Sequence, residues 1–195
     1  MSEEVHVCNK PSERNGMTNE TLKTSRVWWE DVLSDEAKLI EWLQSQHYGE
    51  VTAADRILAF SNQFCHDEHH TRTLGVIAQQ ERMHAAWVRG LLTSRGVSPH
   101  TPEKAGRYWD VTLPGIKDFE TGSAVASHAE RMRLLRIRVI VEHPLTPLDI
   151  RDVFAKILPE EIFHERAFAK MAGEEALRDT EGAHDLGMKA LGLTM

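Results

Sequence analysis

The stretch EEIFHERAF, residues 160–168, places three glutamates around one histidine. Apolar residues before and after it recur at alternating steps of three and four, the period of a helix with one buried stripe. This stripe consists of Ile150, Phe154, Ile157, Phe168 and Met171. Glu161 and His164 fall on it, whereas Glu160 and Glu165 do not. The register therefore predicts that Glu161 and His164 face the core, and it assigns Glu160 and Glu165 to the flanks of the helix.

Three earlier segments carry acidic residues on their apolar stripes in the same way. Glu81 and His84 continue the stripe of Leu74, Ile77, Val88 and Leu91. Glu50 lies on the stripe of the segment before it, and Glu130 on that of the segment after it. We therefore predict four helices and no strand, over about 34–64, 67–95, 123–142 and 146–172. Ser34, Asp67 and Thr146 are the expected N-caps.

Glu50 and Glu81 are 31 residues apart, and so are Glu130 and Glu161. In an antiparallel helical hairpin, residues equidistant from the turn lie at one level. The second midpoint falls inside His143-Pro144-Leu145-Thr146-Pro147, a strong turn signal, and the first falls at Cys65-His66-Asp67. Each hairpin thus has a glutamate on its first helix and a Glu-x-x-His pair at the same level on its second helix.

Four glutamates in one core layer require a counter-charge. An ionised carboxylate left bare in a protein interior costs several kcal/mol. Two divalent cations bound at that level would neutralise all four. Two further Glu-x-x-His pairs, Glu3/His6 and Glu181/His184, have no apolar stripe beside them, and we interpret them as coincidence.

This pattern resembles that of the ferritin-like di-iron carboxylate superfamily, over about residues 34–172. The resemblance implies an all-α, ferritin-like four-helix bundle of two antiparallel helical hairpins joined by a long crossover. It implies two iron ions, with manganese or a mixed pair as alternatives, and Glu81 and Glu161 as bridging ligands. The implied metal ligands are Glu50, Glu81, His84, Glu130, Glu161 and His164.

The resemblance implies a di-iron oxidoreductase that activates dioxygen or peroxide. It would act on an unidentified small-molecule substrate with an external electron donor. One alternative is a ferroxidase or iron-storage protein, and another is a bundle that has lost its metal. A rubrerythrin-like peroxidase is disfavoured, because Arg133 stands where rubrerythrin has an additional glutamate and because the rubredoxin-like cysteines are missing.

The rest of the chain suggests three regions. Residues 1–25 are expected to form a mobile polar tail. Residues 26–172 form the bundle with an N-terminal aromatic strap that contains Trp28 and Trp29. Residues 173–195 form a C-terminal extension with a short, loosely attached helix. The glycine- and proline-rich residues 96–122 provide the crossover.

Composition and sequence pattern limit the classes of binding partner and the cellular location that we expect for the protein. The 195-residue chain has a net charge of −7, which argues against nucleic-acid binding. It shows no signal-peptide layout and no long apolar run, so we expect a cytoplasmic protein without a membrane partner. Residues 123–142 have a second apolar face that contains Leu135 and Val139 and needs a cover. The tryptophan strap or a partner subunit would provide it, and we predict a homodimer.

Two local features leave open questions. Pro159 lies inside the last predicted helix and removes one backbone hydrogen bond, so we expect a kink or bulge there. His47, one turn before Glu50, is interpreted as a simple polar residue; the alternatives are a hydrogen-bond partner of a metal ligand and an additional metal ligand. A surface metal site is a weaker alternative to a solvated helix start for His66, His69 and His70.

Overall fold

The computed structural model of the chain describes residues 19–101 and 107–191. Its elements are helices α1 Asn19–Leu33, α2 Glu36–Phe64, α3 Glu68–Ser94, α4 Arg107–Thr112, a 3₁₀ turn Leu113–Gly115, α5 Phe119–Glu142 and α6 Leu148–Ala190. No residue in this described part forms a strand, so the prediction of an all-α fold is confirmed. None of the helices there is long and apolar enough to cross a membrane.

Local side-chain chemistry determines where the helices begin. Asp35 caps α2 by accepting a hydrogen bond from the backbone N of Ala37 at 2.8 Å. The prediction of Ser34 as this cap is wrong, because its hydroxyl donates to the Asp31 carbonyl instead. Asp67 caps α3 as predicted. Helix α5 begins earlier than expected, because Asp118 and Thr121 form a capping box.

Helix α6 differs from its prediction at its beginning. Its N-cap position is Pro147, and Thr146 does not cap the helix, because the Thr146 hydroxyl accepts a hydrogen bond from Trp29 Nε1 at 2.8 Å. The backbone passes through Pro159 with helical angles, and the kink or bulge expected there stays a prediction. A break lies at Gly173, next to the predicted end at residue 172, with φ 73° and ψ 168°, values that favour glycine.

The two largest of the three apolar clusters in the core lie on either side of a polar layer. One cluster includes Leu43, Leu92, Ile137 and Phe154. The other includes Ile57, Leu74, Ile77 and Phe168. On α2, α3 and α6, the predicted ligand positions fall between the residues that each helix contributes to the two clusters. The polar layer is therefore shielded from solvent along the helix axes.

Helix α1 contains part of the segment predicted as a mobile tail. Residues 19–25 are helical, and Ser25 is buried; residues 1–18 of that segment lie outside the described residues. Trp29 is fully buried, and its ring packs on Trp42 at 4.7 Å between centroids. The Arg136 guanidinium lies 4.6 Å from the Trp28 ring. Helix α1 thus covers part of the second apolar face of α5, and the homodimer stays a prediction.

The C-terminal part of α6 is packed against the rest of the fold, rather than loosely attached as expected. Ala176, Thr180 and Met188 are buried. Gly187 lies so close to Tyr108 that an added Cβ would be 2.6 Å from the ring. The sequence did not indicate this contact, because it depends on α4, which supplies the ring from the crossover.

Candidate metal centre

The structure brings the six predicted ligands together in two groups that share members. Ligand atoms of Glu50, Glu81, His84 and Glu161 lie within 4.8 Å of one another. The same holds for Glu81, Glu130, Glu161 and His164. We call these the His84 group and the His164 group. Glu81 and Glu161 belong to both, which is the arrangement expected of ligands that bridge two cations.

Four helices contribute to the centre. Glu50 comes from α2, Glu81 and His84 from α3, Glu130 from α5, and Glu161 and His164 from α6. Five of these side chains are at most 1% exposed, and Glu130 is half-buried. The spacing of 31 residues therefore predicted a real convergence. Their function as metal ligands stays a prediction.

Both histidines direct Nδ1 towards the carboxylates. His84 Nδ1 lies 3.3 Å from Glu161 Oε1, and His164 Nδ1 lies 3.1 Å from Glu81 Oε1. Each Nε2 bonds to a residue on the opposite helix of the α3–α6 pair. The partner of His84 is Glu160, at 2.8 Å, and that of His164 is Gln80, at 3.0 Å. These partners orient the imidazole rings.

The assignment of Glu160 to a solvated flank was therefore incomplete. Its side chain is 24% exposed and contacts His84, a predicted ligand. Gln80 and Glu160 each directly precede a glutamate of the centre. That repeated position was a signal available in the sequence, although only the packing of α3 on α6 reveals which histidine each residue contacts.

Several buried atoms of the centre make no hydrogen bond. They are Glu50 Oε2, Glu81 Oε2, both carboxylate oxygens of Glu161, and Nδ1 of His84 and of His164. Leaving such an atom unpaired costs about 1–3 kcal/mol. These six atoms without hydrogen-bond partners lie in one layer and are suitable ligand atoms for divalent cations, because a bound cation would coordinate oxygen and imidazole nitrogen together.

Arg133 enters the same layer from α5. Its guanidinium pairs with Glu50 through Nη2, and its Nε lies 3.0 Å from Glu161 Oε1. The latter contact does not meet hydrogen-bond geometry, so Nε is left without a hydrogen-bond partner. The sequence analysis treated Arg133 only as a replaced glutamate. Its position one turn after Glu130, on the same helix face, was the overlooked signal.

The electrostatics divide the four carboxylates into two pairs. Burial opposes ionisation of Glu50 and Glu161, but the Arg133 guanidinium and the neighbouring histidines outweigh it and lower both pKa values. Burial and the charge of Glu161 raise the pKa values of Glu81 and Glu130 well above the ordinary range. Two carboxylates are thereby stabilised as anions and two as neutral acids.

His84 completes this charge balance. Burial alone would lower its pKa, but the Glu161 and Glu50 carboxylates outweigh burial and raise it to about 10. With His84 protonated, two cationic groups, His84 and Arg133, face the two anionic carboxylates. A metal ion at Nδ1 of His84 must therefore displace a proton.

The other histidines considered as ligands lie outside both groups. His47 is buried, and burial followed by the charge of Arg89 lowers its pKa. Its Nε2 has no hydrogen-bond partner. His66, His69 and His70 belong to neither group.

No protein-family model, curated protein or solved structure matches this chain. The resemblance to the ferritin-like superfamily therefore depends on the residues of the centre and on their spacing.

Proposed function

We propose that the chain is a ferritin-like four-helix bundle in which α2–α3 and α5–α6 are antiparallel hairpins joined by the long crossover. Contacts within each pair support this topology. Gln44 Nε2 donates to the Ser98 carbonyl at 2.9 Å, and Arg82 lies 3.7 Å from Asp55. In the second pair, Arg131 lies 3.5 Å from Glu165. Asp55 and Gln44 lie successively farther before the first turn, and their partners Arg82 and Ser98 lie successively farther after it, as expected of an antiparallel pair.

The His84 and His164 groups would each hold one divalent cation, with Glu81 and Glu161 shared. The observation that carries this proposal is the convergence of six buried ligand atoms without hydrogen-bond partners. Each histidine would bind through Nδ1, since its Nε2 is engaged by Glu160 or Gln80. Iron is the proposed metal, and manganese has the same preference for oxygen and imidazole ligands.

The proposed activity is that of an oxidoreductase that activates dioxygen or peroxide. A bound iron pair would supply the two electrons for this reduction, replenished by an external donor. Glu81 and Glu130 hold protons to higher pH than ordinary glutamates, because burial and neighbouring carboxylates raise their pKa values. The two apolar clusters exclude bulk water from both sides of the layer. The substrate would be a small molecule.

Anaerobic titration with ferrous iron tests the metal centre. We expect two ions per chain, and a strong loss of binding in Glu81→Ala and in Glu161→Ala, because each removes a carboxylate common to both groups. Glu165→Ala is the matched control on α6, since Glu165 belongs to neither group. Binding of fewer than one iron per chain would contradict the proposal, as would parental binding in the two variants.

Oxygen uptake then separates an enzyme from an iron store. Admission of air to the loaded protein should consume oxygen without forming a ferric mineral core. Growth of a mineral together with the native mass of a cage would instead favour the ferroxidase alternative. A native mass of two chains would support the predicted homodimer.

A further inference from the structure

Arg133 lies at the junction of α5 with α2, where its side chain reaches from the surface to the centre of the protein. The side chain is 21% exposed, whereas its partners Glu50 and Glu161 are fully buried. Helices α2 and α5 make few direct contacts with each other. The Arg133 side chain therefore lies in the seam between α2 and α5, with part of its surface open to solvent.

Arg133 contacts one carboxylate that belongs only to the His84 group and one that both groups share. Its Nη2 engages Glu50 Oε1, and Nε faces Glu161 Oε1. Glu161 Oε1 is also the oxygen nearest to His84 Nδ1, whereas Oε2 faces His164 Nδ1 at 3.6 Å. Among the residues that the structure describes, no lysine or arginine forms an ion pair with Glu81 or Glu130. The guanidinium thus neutralises oxygens of the His84 group.

A cation in the His84 group would lie against the same two carboxylates that Arg133 engages. It would share Glu161 Oε1 with Arg133, whereas Glu50 faces His84 with Oε2 and Arg133 with Oε1. Two positive charges held against one pair of carboxylates in a buried layer repel each other strongly, because little solvent screens them. Arg133 and that cation are therefore expected to exclude each other. The His164 group has no such competitor on its own oxygens.

We propose that Arg133 is an internal competitor for metal that makes the two halves of the centre unequal. The His164 group would bind its cation first and more tightly. The His84 group would bind the second cation only when the Arg133 side chain turns outwards through the α2–α5 seam. This inference depends on the proposed metal-binding function, and it assigns Arg133 as a positioning residue that sets the order and affinity of loading.

Equilibrium titration of the chelator-treated full chain with Mn²⁺, followed by electron paramagnetic resonance of the free ion, tests the proposal. In the parent chain we expect two binding steps of different affinity. Arg133→Gln removes the competing charge, and should tighten the weaker step by about tenfold or more, while the tighter step changes little. Arg131→Gln is the matched control on α5, because Arg131 is exposed and pairs with Glu165, outside the centre.

Two further variants show which binding step belongs to the His84 group and which to the His164 group. Glu50 belongs only to the His84 group, so Glu50→Gln should abolish the weaker step and retain the tighter one. Glu130 belongs only to the His164 group, so Glu130→Gln should impair the tighter step. The reverse assignment would overturn the proposed order of loading.

Arg133→Lys keeps the test decisive if Arg133→Gln does not fold. Lysine retains the charge but cannot contact both carboxylates in the manner of the guanidinium, so the weaker step should tighten relative to the parent, and less than a neutral residue would allow. An unchanged or weakened second step in every Arg133 variant that folds would overturn the role of Arg133, with the metal centre left standing. Absence of Mn²⁺ and ferrous iron binding in the parent chain would overturn both proposals.

Thermal unfolding provides a readout that does not depend on loading. After chelation, Arg133→Gln should melt below the parent, because Glu50 and Glu161 lose their guanidinium partner. Saturating Mn²⁺ should remove most of this difference. A melting temperature equal to that of the parent after chelation would contradict the role of Arg133 as the counter-charge of this layer.

Discussion

Nε2 of His84 lies 2.8 Å from Oε2 of Glu160, the residue directly before a predicted ligand. The related histidine, His164, has the neutral amide of Gln80 in the same position. An ionised carboxylate only accepts hydrogen bonds, so Nε2 of His84 carries the proton and Nδ1 faces the centre. The two imidazoles are thus oriented alike, but by partners of different charge.

This difference predicts the effect of Glu160→Gln on metal binding. The carboxylate strengthens the imidazole as a donor, so its replacement should weaken binding in the His84 group by about tenfold. The converse variant, Gln80→Glu, should tighten binding in the His164 group. Titration with Mn²⁺ measures both effects, and Glu165→Gln is the control on the same helix. Equal affinities in Glu160→Gln and the parent would show that this hydrogen bond does not tune the ligand.

The Trp29–Thr146 hydrogen bond predicts how firmly α1 is held. Thr146→Val keeps the shape of the side chain but leaves Trp29 Nε1 buried without an acceptor. We expect a loss of about 1–2 kcal/mol in the free energy of unfolding, measured by urea denaturation. Thr146→Ser retains the hydroxyl and should lose less. A Thr146→Val variant as stable as the parent would mean that this bond adds nothing to the packing of α1.

The backbone angles at Gly173 predict that a substitution there destabilises the fold through backbone strain, without a steric clash. An added Cβ would meet nothing within 4 Å, yet the angles at this residue favour glycine. Gly173→Ala should therefore destabilise the fold by about 1–3 kcal/mol through strain alone. Gly182→Ala, in the same part of α6 and also without steric conflict, should instead stabilise the helix by about 0.5–1 kcal/mol. Equal effects of the two substitutions on chemical denaturation would contradict the break at Gly173.

The His184 side chain predicts a loss of stability in acid. Burial and the nearby His128 lower its pKa from 6.5 to about 4. The unfolded chain therefore binds a proton at this residue before the folded chain does, so stability falls as the pH decreases from about 6.5 to about 4. The contribution is on the order of 2 kcal/mol and levels off below that range.

Urea denaturation across this pH range, with His184→Gln, tests the assignment. The variant should show a shallower dependence of unfolding free energy on pH than the parent. His100→Gln, at an exposed position, should retain the parental slope. The prediction fails if His184→Gln and the parent have the same slope between pH 6.5 and pH 4.

The inward orientation of side chains on a periodic stripe could be predicted from the sequence. Glu81 and His84 interrupt an apolar series on one helix, and Glu161 and His164 do so on another, so their inward orientation follows from helical geometry. The repeated spacing of 31 then brings them to one level. Helix caps were less predictable: Asp67 behaved as expected, whereas Thr146 bonds to Trp29, a residue far away in sequence.

The residues that contact the predicted ligands could not be predicted from sequence, because these contacts depend on how the helices pack against one another. Arg133 was identified as a departure from the family pattern, but its contact with Glu50 crosses from α5 to α2. The crossed bonds of Glu160 with His84 and of Gln80 with His164 likewise join α6 to α3. Periodicity within one helix contains no information about which side chain on another helix comes within hydrogen-bond distance.

The sequence by itself determined that this chain is helical and that its acidic and imidazole side chains on the apolar stripes face inwards, because both properties follow from the period of single helices. The equal spacing of 31 residues about two turns then predicted that the six side chains converge. Only the tertiary structure decided that a guanidinium enters the same layer and that each histidine is held from the opposite helix. These contacts depend on the distances between helices, and those distances result from how the two apolar clusters pack.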